Sequence, residues 1–202
     1  MKRLHAPVYS ARLEELVRQI APHLKENDRV LDVGCGFGAL GKAILNAPSS
    51  PPGVEVFGLE RVKRGNELIP VEGYDGVTIP YAADAFEVVI LADVLHHEHD
   101  PHYLLRECIR VARRLLIIKD HKVEGLLAQQ RIALLDWAAN APYSVPCLYR
   151  YNTSEEWHDW FSKHRLAIVR EARSLHLYPP IYNLIFGGKL QYLAILGPHK
   201  SN

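Results

Sequence analysis

The sequence predicts an α/β fold in which helices cover both faces of a doubly wound, mostly parallel sheet. Short apolar runs alternate along the chain with segments of helical periodicity, the pattern expected when helices connect parallel strands. The run at 87–91 is almost continuously apolar, which is typical of a strand buried on both faces. A chain of 202 residues, 48% of them hydrophobic, fits one domain that spans 1–202.

Apolar spacing and helix-boundary residues define the elements of the first half. Leu13, Leu16 and Ile20 share one helical face, and Ser10 is the candidate N-cap of their helix. Pro70 limits any helix around 65–71, so that segment stays ambiguous. The predicted elements are helix 10–24, strand 29–33, helix 39–45, strand 54–59 and strand 87–91.

Proline and capping residues mark the elements of the second half. Pro101 suits the first turn of a helix, and Thr153 with Glu156 forms the capping-box pattern that begins another. Pro179 and Pro180 predict a turn before the final hairpin. The predicted elements are helix 101–111, strand 114–118, helix 123–140, a capped helix through 163, strand 166–170 and strand 189–196.

The overall charge gives no sign of a polyanionic partner. The chain has 24 basic and 23 acidic side chains, a net charge of +1 and no long block of one sign, so we expect no nucleic-acid binding. Its three cysteines lack metal-binding spacing and are expected to be reduced thiols of a cytoplasmic protein. Neither a secretory signal nor an apolar run of membrane length is evident, so we expect no membrane association.

Residues 30–38, V-L-D-V-G-C-G-F-G, predict a strand that ends in a glycine-rich turn and opens a helix. Glycines let backbone approach a ligand closely, and the first amides of the helix would face the same ligand. Glu60, at the end of the next apolar run, suits a ribose diol because a carboxylate accepts from both hydroxyls. These features together predict an adenosine-containing cofactor.

Asp32 narrows the choice of cofactor. The string G-C-G-F-G-A formally fits the dinucleotide-binding pattern, which keeps a nicotinamide-dependent oxidoreductase as an alternative. A carboxylate at the mouth of the turn would repel a pyrophosphate, whereas it suits a ligand that carries an ammonium and a sulfonium. The sequence therefore favours S-adenosylmethionine.

The stretch 30–38 resembles the first motif of the class I S-adenosylmethionine-dependent methyltransferases. Residues 74–89 are similar to that family's adenine-contacting turn and fourth strand, and 93–101, D-V-L-H-H-E-H-D-P, are similar to a loop of its small-molecule, metal-independent branch. The resemblance covers 10–120 and implies a Rossmann-like, seven-stranded sheet with an antiparallel last strand. It also implies S-adenosylmethionine as cofactor and S-adenosylhomocysteine as product.

The resemblance assigns binding roles to particular residues. It implies that Gly34 and Gly36 pass beneath the methionine part, that Asp32 orients its ammonium, and that Asp75 and Gly76 meet the adenine. The full set that it assigns to the cofactor is Asp32, Gly34, Cys35, Gly36, Glu60, Arg61, Asp75, Gly76, Ala92 and His97.

Methyl transfer is an in-line displacement, so the protein mainly has to align the acceptor. A hydroxyl acceptor benefits from a base, and histidine suits neutral pH. His97 and His121 are the candidate catalytic bases, with packing or loop capping as the alternative role for each. Asp93 and Asp120 stand where catechol-type relatives bind a metal, but His121 is a poor magnesium ligand, so no metal is expected.

Residues 122–151 form the longest insertion and are expected to build a pocket for the acceptor. Its aromatic and polar side chains are Trp137, Asn140, Tyr143, Tyr149, Arg150 and Tyr151. Such a pocket fits a small organic acceptor, preferably methylated at a hydroxyl oxygen, and the protein is expected to be a monomer or homodimer. A protein that binds the cofactor without methyl transfer, such as a partner subunit, stays an alternative.

Overall fold

The computed structural model describes residues 2–140 and 147–198, apart from the side chains at 2–8, 139–140, 181 and 184. The strands that it describes are β1 (Arg29–Val33), β2 (Glu55–Glu60), β3 (Val71–Gly73), β4 (Phe86–Ala92), β5 (Ala112–His121), β6 (Leu166–Ala172) and β7 (Gln191–Pro198). They form one sheet with the order β3-β2-β1-β4-β5-β7-β6.

The direction of the strands confirms the predicted fold class. Strands β1 to β5 pair in parallel, whereas β7 runs antiparallel to both β5 and β6. The helices of the described chain are α1 (Lys2–Ile20), α2 (Ala39–Asn46), α3 (Pro101–Val111), α4 (Ala128–Asn140), α5 (Ser154–Lys163) and α6 (Pro180–Phe186). The sheet is therefore doubly wound and mostly parallel, with an antiparallel last strand.

Two apolar layers cover the two faces of the sheet. Alternation along β1 sends Val30 to one face, where it packs with apolar residues of α1 and α2. Leu31 points to the other face and joins a layer with residues of α3 and α5. Asp32 shares its face of β1 with Val30. Its carboxylate therefore points toward the α1 and α2 layer, near the carboxyl end of the strand.

Three local predictions differ from the structure. Helix α1 begins at Lys2, so Ser10 lies inside it, and its hydroxyl donates to Glu14 Oε1 at 3.0 Å instead of capping the helix. The predicted turn at Pro179 and Pro180 is the start of α6, because proline is well tolerated in the first helical turn. Helix α4 begins at Ala128, later than position 123.

Two further observations concern membrane spans and cysteines. Among the described residues, no helix is both long enough and apolar enough to cross a membrane. The cysteines of the described part form no disulfide bond. A cytoplasmic location stays a prediction.

Candidate active site

A turn with three glycines follows β1. Gly34, Gly36 and Gly38 have φ values of +70°, +58° and +77°. A Cβ at Gly34 would lie 2.6 Å from Val94 Cγ2, and one at Gly38 would lie 2.4 Å from Ile69 Cγ1, so packing as well as conformation favours glycine at both positions. At Gly36 the nearest heavy atom to a Cβ would be 3.9 Å away, which leaves room for a ligand against this backbone.

Asp32 lies buried at the base of this turn. The residue is 2% exposed, and its Oδ2 has no hydrogen-bond partner. Burial raises the pKa of Asp32 to about 7, while the nearby Arg12 guanidinium acts in the opposite direction. A buried carboxylate oxygen without a partner is costly, and an ammonium group at this place would satisfy it. Asp32 therefore fits the cofactor that the resemblance implies.

Glu60 ends β2 and faces the same turn. Its Oε2 accepts a hydrogen bond from Gly36 N at 2.8 Å, and its Oε1 accepts one from Arg61 N at 2.9 Å. Each carboxylate oxygen has a second lone pair, so Glu60 is still able to accept from ribose hydroxyls. Cys35, between the two glycines, contributes its amide to Leu59 O at 3.3 Å and is half-buried.

Arg61 joins the end of β2 to two loops. Its Nη2 donates to Gly76 O at 3.0 Å and forms an ion pair with Glu98. A Cβ at Gly76, where φ is +80°, would lie 2.1 Å from Arg61 Nε, so the guanidinium fills that space. Asp75 Oδ1 accepts from the amides two and three residues later and caps its own turn. The adenine contacts expected for Asp75 and Gly76 stay predictions.

Asp93, directly after the half-buried Ala92 that ends β4, belongs to a cluster of charges that are partly or fully buried. Arg12 Nη2 of α1 donates to Asp93 Oδ2 at 2.7 Å, and the buried Lys119 of β5 pairs with Oδ1. Although burial opposes ionisation, Lys119 and Arg12 hold the pKa of Asp93 well below its usual range. Both oxygens thus contact protein cations, which argues against the magnesium-binding role that catechol-type relatives would suggest.

His96 and His97 lie in one turn of 3-10 helix that packs against the end of β5. His96 Nδ1 is 2.6 Å from Asp120 Oδ1, and both side chains are buried. Although burial lowers it, the Asp120 carboxylate raises the pKa of His96 to about 10. The Nε2 atoms of His96 and His97 each lie 3.5 Å from Asp136 Oδ1 of α4.

The two histidines predicted as bases have different surroundings. The His97 side chain is 15% exposed, whereas His121 is buried and its Nδ1 has no hydrogen-bond partner. Burial, together with the Lys119 ammonium, lowers the pKa of His121 to about 4. The ring centroids of His121 and His96 are 5.1 Å apart, so the structure brings all three histidines into one cluster.

A cavity of about 230 Å³ lies beside this cluster. His96 and Asp120 line it, and Asp120 Oδ2 is buried without a hydrogen-bond partner. Its aromatic walls are Tyr151, Trp157 and Trp160. The indole Nε1 of Trp157 donates to His121 O at 3.1 Å, which fixes one wall to the histidine cluster.

The insertion 122–151 contributes to this cavity in part. Arg150 and Tyr151 line it, whereas Trp137 and Tyr149 are exposed at 55% and 43%. Tyr143 and the side chain of Asn140 lie outside the described residues.

Sequence analysis did not single out Arg12, Lys119 or Asp136. Lys119 carried a signal, because a lysine that directly extends an apolar strand run needs a buried partner. Arg12 and Asp136 lie on helices, where an isolated charge is usually solvated, so no local pattern marks them.

A family model described as a methyltransferase domain matches residues 5–171. The chain is similar to the ubiquinone biosynthesis O-methyltransferase of Bordetella avium, with 29% identity over 124 residues, 55% of this chain and 48% of that protein. It is also similar to the 27-O-demethylrifamycin SV methyltransferase of Amycolatopsis mediterranei, with 31% identity over 123 residues, 52% and 44% of the two chains. The chain spans about half the length of these curated relatives.

Solved structures resemble the whole described fold. A chain from the complex between the Haloferax volcanii Trm112 methyltransferase activator and a methyltransferase has a TM-score of 0.70 and 16% identity, covering 100% of this chain and 94% of that one. An S-adenosylmethionine-dependent methyltransferase from Aquifex aeolicus has a TM-score of 0.64 and 18% identity, covering 98% and 96%. At these identities the likeness establishes the fold.

Proposed function

Since the chain belongs to the methyltransferase domain family and S-adenosylmethionine is its cofactor, we propose that it methylates a hydroxyl oxygen of a small organic acceptor. The observation that carries this proposal is the cavity with aromatic walls beside buried atoms that can accept a proton. The names of the two curated relatives, one in ubiquinone biosynthesis and one in rifamycin methylation, support oxygen as the acceptor atom.

The glycine turn and two carboxylates are proposed to hold the cofactor. When bound, S-adenosylmethionine supplies a methyl group on a cationic sulfur, which makes that carbon electrophilic. Asp32 provides the negative charge for the ammonium, Glu60 accepts from the ribose hydroxyls, and the backbone of Gly36 passes close to the ligand.

The acceptor is proposed to bind in the 230 Å³ cavity, whose lining is linked to the proposed cofactor residues by one ion pair. Glu98 lines the cavity and pairs with Arg61, the residue that follows Glu60. Stacking against Trp157 and Trp160 favours a flat ring, and the enclosed volume suits a small phenol-like compound. The insertion 122–151 supports this pocket through Arg150 and Tyr151, among its described residues.

His121 is our preferred base for the hydroxyl proton. It is buried and uncharged at neutral pH, and its Nδ1 lacks a hydrogen-bond partner, so it offers a lone pair. Asp120 Oδ2, also buried without a partner, is suited to accept a hydrogen bond from the acceptor hydroxyl and so orient it. His97, at 15% exposure and beside Asp136, is the second candidate base.

The test is a methyl-transfer assay with a panel of small phenols, alcohols and amines, in which release of S-adenosylhomocysteine is measured. We expect turnover with a hydroxyl compound, and a loss of kcat of about 10²–10⁴ in His121→Ala with little change in KM. His99→Ala is the matched control, because His99 is an exposed histidine two residues after His97 in the loop that follows β4. Unchanged affinity for S-adenosylhomocysteine verifies that each variant is folded.

Two results would contradict the proposal separately. Turnover with amines alone would refute a hydroxyl acceptor while leaving methyl transfer intact. Full rates across pH in both His121→Ala and His97→Ala would refute the histidine base. The acceptor atom would still be decided by the panel of compounds.

A further inference from the structure

Two histidines and a carboxylate bring three metal-binding atoms together at the edge of the cavity. His96, His97 and Asp136 each offer one ligand atom, and these atoms all lie within 4.8 Å of one another. His96 and Asp136 are buried, and His97 is largely so. Imidazole nitrogen and carboxylate oxygen are both common zinc ligands.

Two distances within this trio match the spacing of ligand atoms around a tetrahedral ion. Asp136 Oδ1 lies 3.5 Å from His96 Nε2 and 3.5 Å from His97 Nε2. Tetrahedral bonds of 2.0–2.1 Å place neighbouring ligand atoms about 3.3–3.4 Å apart, whereas octahedral bonds of that length place them about 2.9 Å apart. A charge-assisted hydrogen bond would instead be about 2.7–2.9 Å long. The two distances to Asp136 Oδ1 are thus closer to the tetrahedral spacing than to that of a charge-assisted hydrogen bond.

Neighbouring residues orient the ligand atoms toward one point. Asp120 Oδ1 accepts from His96 Nδ1 at 2.6 Å, so a metal ion that displaces the second ring proton would meet the lone pair on Nε2. The Tyr151 hydroxyl donates to Asp136 Oδ2 at 2.7 Å, while Asp136 Oδ1 lies 3.5 Å from both Nε2 atoms. Carboxylates that hold the far nitrogen of a ligating histidine are a regular feature of metal sites.

We propose that His96, His97 and Asp136 bind a divalent transition-metal ion of the Zn²⁺ type. Three protein ligands are the number found in catalytic zinc sites, which keep a fourth position for water or substrate. Because His96 lines the cavity, the ion would adjoin the acceptor. This last role rests on the proposed function, whereas metal binding itself does not. An ion on His97 Nε2 would leave His121 as the base.

The experiment measures metal binding by the full chain without methyl donor or acceptor. Tag-free protein is stripped with a chelator, dialysed and titrated with Zn²⁺ by calorimetry near neutral pH, and Co²⁺ is used in parallel for its visible absorption bands. We expect one ion per chain and the bands of tetrahedral Co²⁺. His97→Ala should weaken binding at least tenfold, and Asp120→Asn about 10–100-fold, because Asp120 orients a ligand.

His99→Ala is the control for binding by surface histidines, since His99 is exposed and two residues from His97. We expect it to bind Zn²⁺ like the wild type, and thermal unfolding verifies that each variant is folded. Equal affinities in His97→Ala and His99→Ala would refute the site. Absence of Zn²⁺ binding by the stripped wild type would also refute it. A doubly protonated His96 would then account for its contacts with Asp120 and Asp136. Neither result bears on hydroxyl methylation, which is assayed separately.

Discussion

Replacing Asp32 with asparagine tests the carboxylate at the base of the cofactor turn. Asp32 is buried, its Oδ2 lacks a partner, and burial raises its pKa to about 7. The Arg12 guanidinium opposes this shift and the Glu60 carboxylate adds to it. At neutral pH about half of the unliganded molecules therefore hold a proton on Asp32. A ligand with an ammonium group pairs with the ionised form, so its binding has to displace that proton.

The size of the effect follows from the ionised fraction of Asp32. With a pKa of about 7, this fraction is about 9% at about pH 6 and about 76% at about pH 7.5. The affinity for S-adenosylhomocysteine should therefore rise about eightfold over this interval, which is ~1.2 kcal/mol. The α-ammonium of the ligand stays largely protonated in this range, so the change belongs to the protein.

The assay is calorimetric titration with S-adenosylhomocysteine at both pH values and constant ionic strength. We expect the wild type to gain about eightfold, and Asp32→Asn to bind more weakly with little change between the two pH values. A nucleoside thioether that lacks the amino-acid part is the ligand control. It carries no ammonium, so its affinity should not rise with pH through Asp32.

The asparagine variant separates the effect of Asp32 from that of any other titrating group. A slope of the same size in Asp32→Asn would assign the pH dependence to other groups and refute the reasoning. A flat wild-type profile would also refute it, because Asp32 would then be ionised before the ligand arrives.

The free energy of unfolding of the unliganded protein should fall as pH rises, whereas the affinity for S-adenosylhomocysteine should rise. The pKa of Asp32 is about 7 in the folded protein and about 3.9 in an unfolded chain. Between these values the unfolded chain has released the proton that the folded protein keeps. This contribution to stability is therefore lost as pH rises from about 4 to about 7, and Asp32→Asn should remove the loss in urea unfolding.

Three further substitutions test the packing around the site, each by the free energy of unfolding in urea. Gly38→Ala should cost about 2–4 kcal/mol, because φ is +77° and the new Cβ would lie 2.4 Å from Ile69 Cγ1; a loss below about 0.5 kcal/mol would contradict this. Thr153→Ala should cost about 1 kcal/mol by removing the cap of α5, while Thr153→Ser should keep most of it. Arg12→Met should cost about 1–3 kcal/mol, because Asp93 then keeps only one of its two cations; an unchanged stability would show that Lys119 suffices.

Sequence patterns predicted the elements whose boundaries are chemically marked. Helix α3 occupies Pro101–Val111 as expected, because Pro101 suits its first turn and the Asp100 side chain caps it by accepting from Tyr103 N. Strand β1 occupies Arg29–Val33, where an apolar run meets the glycine turn. Local chemistry decides both boundaries, so one sequence is enough to place them.

Other elements depend on partners far along the chain. Strand β3 has three residues, mostly exposed, and exists because Val71–Gly73 pairs with the end of β2. Gly125 and Leu127 have φ values of +96° and +51°, which delays the start of α4 to Ala128. Neither feature has an apolar period that would mark it in the sequence.

The same distinction holds for the site. The positions of Glu60 and Asp32 beside the glycine turn could be predicted because each lies near the end of an apolar run, and their contacts with the cofactor stay predictions. The pairing of Arg12 with Asp93 spans 81 positions and joins α1 to the loop after β4, so it depends on how α1 docks. Asp136 reaches the histidines from α4 in the same way.

The carboxylates at the carboxyl edge of the sheet differ in whether the protein supplies their counter-charge. Asp93 contacts both Arg12 and Lys119, and Asp120 contacts His96, whose pKa is raised by that carboxylate. Among the described residues, no salt bridge reaches Asp32, although it is as deeply buried as Asp120 and more deeply than Asp93. A buried carboxylate without a cation is unfavourable unless a ligand provides one. The carboxylate that lacks a salt bridge is thus the one that a cationic methyl donor would complete.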